Sequence, residues 1–211
     1  MKGYVIAMAN EAECLMANLA DAKEETLYGR RVVRGKLHGE DVMMVVSGIG
    51  KVNAGAATQL AIMLGATEII SVGVAGGLDK DMNVGDIYEI SEAVQYDFDL
   101  SAVNGTMIGT LDEYSTPYIP MSGPQDGRII GTGDRFNDSA VDNDLMVRLG
   151  VTIRDMECAA VAHVCQKAGV PCKGIKCISD VRGKGAMTGQ YVDNLKRCLA
   201  ILTEYLGKKK D

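Results

Sequence analysis

Short continuous apolar runs alternate with longer stretches in which apolar residues recur at helical spacing, a pattern that predicts an α/β fold. Tyr4–Met8 reads as a short buried strand, and Ala9–Ala20 as a helix turning Leu15, Met16 and Leu19 inward. Val32–Leu37 and Asp41–Ser47 are β-rich runs joined at His38-Gly39, a hairpin signal. A helix of small residues then extends to about Leu64, and Glu68–Gly73 is the next strand. Val84–Ile90 begins another strand, and Tyr96–Ser101 continues extended with Asp97 and Asp99 on one face. Tyr114–Gly127 is rich in Pro, Ser and Gly and reads as loop. Arg128–Thr132 and Val151–Ile153 read as strands flanking a helix at Val141–Leu149. Beyond Glu157, Val161, Val164, Cys165 and Ala168 share one helix face. Gly169 and Pro171 stop that helix and launch the strand Cys172–Ser179. Gln190–Leu206 is the closing amphipathic helix. The expected architecture is a single domain over residues 1–211, with a mixed, mostly parallel twisted central sheet flanked by helices.

Composition narrows the class. A chain of 211 residues can bury one full core. The net charge of −6 is spread along the chain, and the one basic run, Lys208-Lys209-Lys210, sits at its end. Neither nucleic acid nor an anionic membrane is therefore an expected partner. Cys14, Cys158, Cys165, Cys172, Cys177 and Cys198 lie in apolar runs without metal-ligand spacing, and read as free thiols in a reducing, cytoplasmic compartment. Met1–Ala9 enters an acidic helix at Glu11 instead of a long apolar core, unlike a signal peptide, and no apolar run is long enough to span a bilayer.

The candidate chemistry gathers at strand ends and strand-to-helix turns: Glu11, Ser47–Asn53, Val74–Gly77, Asp134–Asn137, Met156-Glu157 and Ser179-Asp180. In a parallel sheet such groups converge on one edge, where ligands collect. Taken singly, Glu157 and Asp180 read as caps of neighbouring helices. Taken together with Glu11 they are three acids in one place, so at least one should have a raised pKa. That suits acid/base work on a neutral or weakly cationic substrate. Gly48-x-Gly50-Lys51 has neither the spacing of a triphosphate loop nor the third glycine of a dinucleotide fingerprint. His38 and His163 stand alone, and Asp97 with Asp99 fits a solvated edge better than an ion site. No metal or organic cofactor is expected.

Seven short motifs then occur in order: Ala7-Met8-x-x-Glu11, Ser47-Gly48-Ile49-Gly50-Lys51-Val52-Asn53-Ala54, Gly73-x-Ala75-Gly76-Gly77-Leu78, Val84-Gly85-Asp86-Ile87, Gly133-Asp134-x-Phe136, Met156-Glu157 and Ile178-Ser179-Asp180. Together they resemble the nucleoside phosphorylase/nucleosidase superfamily over nearly the whole chain, and within it the 5′-methylthioadenosine/S-adenosylhomocysteine nucleosidases. The resemblance implies hydrolysis of the N-glycosidic bond between adenine and a 5′-thio-substituted ribose, without a cofactor. It implies Asp180 as the acid that protonates adenine N7, supported by Ser179, and Glu11 as the group that activates water. It places Glu157 on the ribose hydroxyls, Met156 against the sugar, Phe136 on the base and the Asn137 backbone at the base edge. Gly76 would line the base and ribose pocket; Met8, Ile49, Leu100 and Tyr191 would form the apolar 5′-tail pocket. Val103 falls where a second subunit closes that pocket, which implies a homodimer. The chain departs from the family pattern at Val74, usually a small polar residue, at Lys176, usually arginine, and in Val-Arg-Gly-Lys after Asp180. Its Asp112–Arg128 segment is short. Three alternatives stand beside this reading: a phosphorolytic member, a nucleosidase for another purine nucleoside of futalosine type, and an inactive nucleoside-binding sensor.

Overall fold

The computed structural model describes residues 1–136 and 138–208. The first half of the chain contains β1 (Lys2–Ile6), α1 (Ala9–Met16), β2 (Ala20–Leu27), β3 (Arg30–Leu37), β4 (Glu40–Val46), α2 (Lys51–Met63), β5 (Glu68–Gly77) and β6 (Ile87–Gln95). It continues through α3 (Ser101–Asn104), β7 (Ile119–Pro120), β8 (Arg128–Thr132), α4 (Ala140–Arg148) and β9 (Ile153–Asp155). It closes with α5 (Cys158–Ala168), β10 (Cys172–Val181) and α6 (Met187–Gly207).

All the strands join one sheet. β2-β3-β4-β1-β5 form an open run, and β5 then pairs with both β9 and β10. Since β10-β6-β8-β9 leads back to β5, that half closes into a barrel-like ring. The sheet is mixed, as expected. Parallel pairing holds β4, β1, β5 and β10 together and joins β6, β8 and β9. The outer strands β2–β3–β4 and the β5–β9, β6–β10 and β6–β7 pairs are antiparallel. Parallel order thus runs through the middle of the sheet and not through most of it.

Strand alternation sorts the core. Val5, Met43, Val45 and Ile69 pack with Ala57 and Ala61 of α2 and with Val161 and Cys165 of α5. Their neighbours Tyr4, Ile6, Met44 and Ile70 point the other way, to Leu15 of α1 and to Cys198 and Leu202 of α6. A smaller cluster joins Met146 of α4 to Val94 and Tyr96. Among the described residues, no helix is long and apolar enough to cross a membrane.

Several elements differ from expectation. β1 ends at Ile6, and α1 at Met16, four residues short of Ala20. The chain then forms β2, which has no apolar alternation because it is an edge strand exposed along almost its whole length. Its charges face those of β3, in the pairs Glu24–Arg31 and Glu25–Arg34, an arrangement that also discourages pairing with another chain. Val74–Gly77, which the sequence places beyond the strand Glu68–Gly73, is the end of β5, bonded to β9 and β10. Tyr96–Ser101 is a turn into α3, so Asp97 and Asp99 part: Asp97 pairs with Lys51 at 2.5 Å, while Asp99 accepts the Ser101 N–H at 2.8 Å. The 114–127 loop contains the short strand β7.

Candidate active site

A cavity of about 100 Å³ opens where β1, β5 and β10 approach their carboxyl ends. Met8, Glu11, Ile49, Val74, Gly76, Phe136, Asp155, Met156, Glu157, Ser179 and Tyr191 line it, with Ala7 and Ala75. A larger cavity of about 360 Å³ lies at the amino ends, around Lys2, Glu68 and Lys173. Its charges are matched among themselves, Lys2 with Glu40 at 2.6 Å and Lys173 with Glu68 at 2.8 Å. Chemistry and not volume singles out the smaller one.

Glu11 arrives on the first turn of α1, immediately after β1. Oε2 accepts the Met8 N–H at 3.1 Å, the reach-back bond of a capping arrangement, and Oε1 accepts the Val74 N–H at 3.0 Å. The side chain therefore ties α1 to β5 at the cavity floor. A Cβ at Gly73 would stand 2.9 Å from Oε1, so glycine is required there for this carboxylate to fit. Burial pushes the Glu11 pKa up, against those two bonds and the Lys176 charge.

Glu157 begins α5 but does not cap it; its Oε1 accepts the Gly50 N–H at 2.8 Å instead. The cap is Asp155, whose Oδ2 takes the Cys158 N–H at 2.9 Å. Burial, then the Asp155 charge, raises the Glu157 pKa from 4.5 to about 7, against the Lys176 charge and the Gly50 bond. Lys176 itself is buried on β10 and pairs with Asp155 at 2.9 Å, not with Glu11 or Glu157. It also donates to Ser71 Oγ at 3.3 Å. Burial alone would lower its pKa; Asp155, then Cys158 and Glu157, outweigh that and raise it. Thr132 Oγ1 donates to the other Asp155 oxygen at 2.6 Å. Asp155 was visible in sequence only as part of an acidic turn, and its partners come from two separate strands, β8 and β10, and from the helix α5.

Asp180 sits within β10, not beyond it, and does not cap α6. The register against β5 shifts between Ile178 and Asp180, a bulge that carries Ser179. Ser179 Oγ donates to Asp180 Oδ2 at 3.0 Å, and Arg154 Nη2 to Oδ1 at 3.3 Å. Asp180 does not itself line the cavity, but a Cβ at Gly76 would stand 2.9 Å from its Oδ1. The carboxylate thus lies directly against a lining residue. Arg154, which sequence reading missed, lies between Ile153 and Asp155 in a three-residue strand; its pairing opposite Gly76 brings it here.

The mouth is aromatic. Phe136 and Tyr191 meet edge to face, their centroids 5.2 Å apart, and Tyr191 Oη lies 3.3 Å from Met8 Sδ. Leu100 and Val103 belong to the α3 region and do not line this cavity; Val103 is 81% exposed. Asn137 lies outside the described residues. Among the described residues, no cluster of His, Cys, Asp or Glu is arranged to hold a metal ion.

The phosphorylase superfamily model matches residues 2–125 and 124–207. A 5′-methylthioadenosine/S-adenosylhomocysteine nucleosidase of Marinomonas sp. is 31% identical over 86% of each chain. Among solved structures, the futalosine hydrolase of Helicobacter pylori is similar with a TM-score of 0.88 and 27% identity, covering 97% of this chain and 94% of that one. A Helicobacter pylori nucleosidase mutant holding 5′-methylthioadenosine in its active site is similar with a TM-score of 0.87 and 27% identity, over 97% and 95% of the two chains. With residues from both halves of the match meeting in one acidic cavity, the chain belongs to the phosphorylase superfamily, within its 5′-methylthioadenosine/S-adenosylhomocysteine nucleosidase family.

Proposed function

We propose that this protein hydrolyses the N-glycosidic bond of 5′-methylthioadenosine and S-adenosylhomocysteine, releasing adenine and the 5′-thio-substituted ribose. Adenine leaves poorly as an anion, so Asp180 delivers a proton to N7 as the C1′–N9 bond breaks. Ser179 Oγ and Arg154 hold the carboxyl in place. Water attacks C1′ and gives a proton to Glu11, which the Met8 and Val74 N–H groups hold in position. Glu157, tied through Oε1 to Gly50, offers Oε2 to the ribose hydroxyls. The carboxylates of Glu11 and Glu157 favour the positive charge that develops on the sugar. Phe136, Met156 and Gly76 take the base and ribose, and Met8, Ile49 and Tyr191 the 5′ substituent.

One observation carries hydrolysis over phosphorolysis. Glu11, Asp155 and Glu157 line the cavity, and none of the described lining residues is a lysine or arginine. A phosphate dianion beside C1′ needs fixed positive charge or several aimed donors, and here it would meet carboxylates.

The same reading makes the protein a cytoplasmic homodimer of one domain. Its six thiols are free, which suits a reducing compartment. Val52 and Met63 of α2, and Val103 and Met107 at α3, are exposed apolar side chains that a second copy would cover. The test of function is adenine release, followed by ultraviolet absorbance, from 5′-methylthioadenosine and from S-adenosylhomocysteine. Release from neither would remove the proposal.

A further inference from the structure

The end of β10 carries Asp180 and has a strand on one edge only. Pairing with β6 stops at Cys177–Ile87, and the last backbone bonds along that edge join Ile178 to Gly85 and Asp86. Beyond Ile178, no described strand pairs this edge, while Asp180 and Val181 face Gly76 and Gly77 of β5 on the other. Two amide side chains of α6 take the place of the strand. Gln190 Oε1 accepts the Val181 N–H at 3.1 Å and Nε2 donates to the Val181 carbonyl at 3.1 Å, the pair of bonds that a strand neighbour would exchange. Nε2 also donates to the Gly185 carbonyl at 3.1 Å. One turn on, Asn194 Nδ2 donates to the Ser179 carbonyl at 3.3 Å and to the Gln190 carbonyl at 2.7 Å. Cys198, a further turn along the same helix face, donates from Sγ to the Ile178 carbonyl at 3.2 Å.

We propose that Gln190 and Asn194 are positioning residues for glycosidic cleavage: they clamp the backbone on both sides of Asp180 and so aim its carboxyl at the base. The inference rests on the reading of Asp180 as the N7 acid. The register against β5 shifts between Ile178 and Asp180, and a bulge of this kind re-aims the side chain that follows it. With the ladder to β5 broken there and β6 already ended, the α6 amides are what hold the two flanking residues, Ser179 and Val181. Ser179 Oγ and Arg154 fix the carboxyl end of Asp180, and Gln190 and Asn194 fix its backbone end. Proton transfer in the transition state needs donor and acceptor in line, and a misplacement of about 1 Å can cost about 10²-fold in rate.

The test uses two substrates with the same sugar and different leaving groups. The base of 5′-methylthioadenosine leaves well only with a proton, whereas the phenolate of the 4-nitrophenyl β-riboside of 5-methylthioribose leaves as a stable anion without one. Asp180→Asn, Gln190→Met and Asn194→Leu are compared with the wild type on both. Each variant should lower the ratio of adenine release to nitrophenolate release by about tenfold or more, with KM for 5′-methylthioadenosine changing far less than kcat. A ratio lowered in Asp180→Asn but unchanged in the two α6 variants, whether both rates fall together or neither falls, leaves the amides a structural role only and overturns the proposal. A ratio unchanged in Asp180→Asn removes the acid reading, and the proposal with it. If the apolar variants do not fold, Asn194→Asp, which keeps the shape and loses the donor, is read in the same way. If the wild type does not accept the riboside, the split on 5′-methylthioadenosine decides: a loss in kcat with KM held supports the clamp, and a loss carried by KM, or no loss, contradicts it.

Discussion

The Glu157 carboxylate accepts the backbone N–H of Gly50 at 2.8 Å, so a residue that opens α5 closes off the amino end of α2 instead. Gly50 takes part with φ +97°, and a Cβ there would stand 3.0 Å from Asp134 Oδ1. Asp134 in turn accepts the Lys51 N–H at 2.8 Å. Two acids from distant loops thus satisfy the first N–H groups of α2, where the helix dipole favours negative charge. Even so, burial and the Asp155 charge keep the Glu157 pKa at about 7.

That raised pKa gives a stability slope. The group's folded value lies above its ordinary 4.5, so its contribution to stability is full below 4.5 and is lost as pH rises through about 7. The melting temperature of the unliganded protein should fall across that window on this account. Glu157→Gln, which keeps an acceptor for Gly50, should flatten the slope and be more stable than wild type at neutral pH. Thermal unfolding across pH checks this, and an unchanged slope would refute the assignment.

Lys176 and Asp155 are both buried and 2.9 Å apart. Lys176→Met should cost about 3–5 kcal/mol, because it strands a buried carboxylate. Adding Asp155→Asn to Lys176→Met should recover part of that loss, since the uncompensated charge goes. Denaturant unfolding of the single and double variants measures the coupling; strict additivity would show that the pair does not act as one unit.

What could be read in the sequence follows the strength of each local signal. The helix α5, its stop at Gly169 and the strand beyond it were legible because apolar spacing, a left-handed glycine and a proline agree. The site acids Glu11 and Glu157 were legible because each stands at a strand-to-helix junction. β2 was hidden because an edge strand with every face in water carries no alternation. The end of β5 was hidden because Gly76 and Gly77 look like a loop, whereas they are glycines so that Arg154, Asp180 and Met82 can approach a strand. Lys176 pairing with Asp155, and Arg154 with Asp180, are contacts between distant strands, which no local pattern encodes.

Asp180→Asn removes the proton that the mechanism delivers to N7 while keeping the shape of the side chain. Turnover of 5′-methylthioadenosine should fall by about 10²–10⁴-fold. Adenine affinity, measured by calorimetry, should change far less, because on the proposed placement the base rests against Phe136 and Gly76. Near wild-type turnover would take Asp180 out of the acid role.

The exposed apolar residues of α2 and α3 predict a dimer by light scattering at micromolar concentration. Val52→Asp with Val103→Asp, at positions 83% and 81% exposed, should yield a folded monomer with weakened activity. A wild-type monomer would leave those side chains unexplained and contradict the interface.

The central claim is that water attacks the sugar in a carboxylate-lined site. Its most direct test is the sugar product from 5′-methylthioadenosine, identified by mass spectrometry with and without phosphate. The account predicts 5-methylthioribose at a rate independent of phosphate. A rate that rises saturably with phosphate and yields 5-methylthioribose 1-phosphate would contradict it.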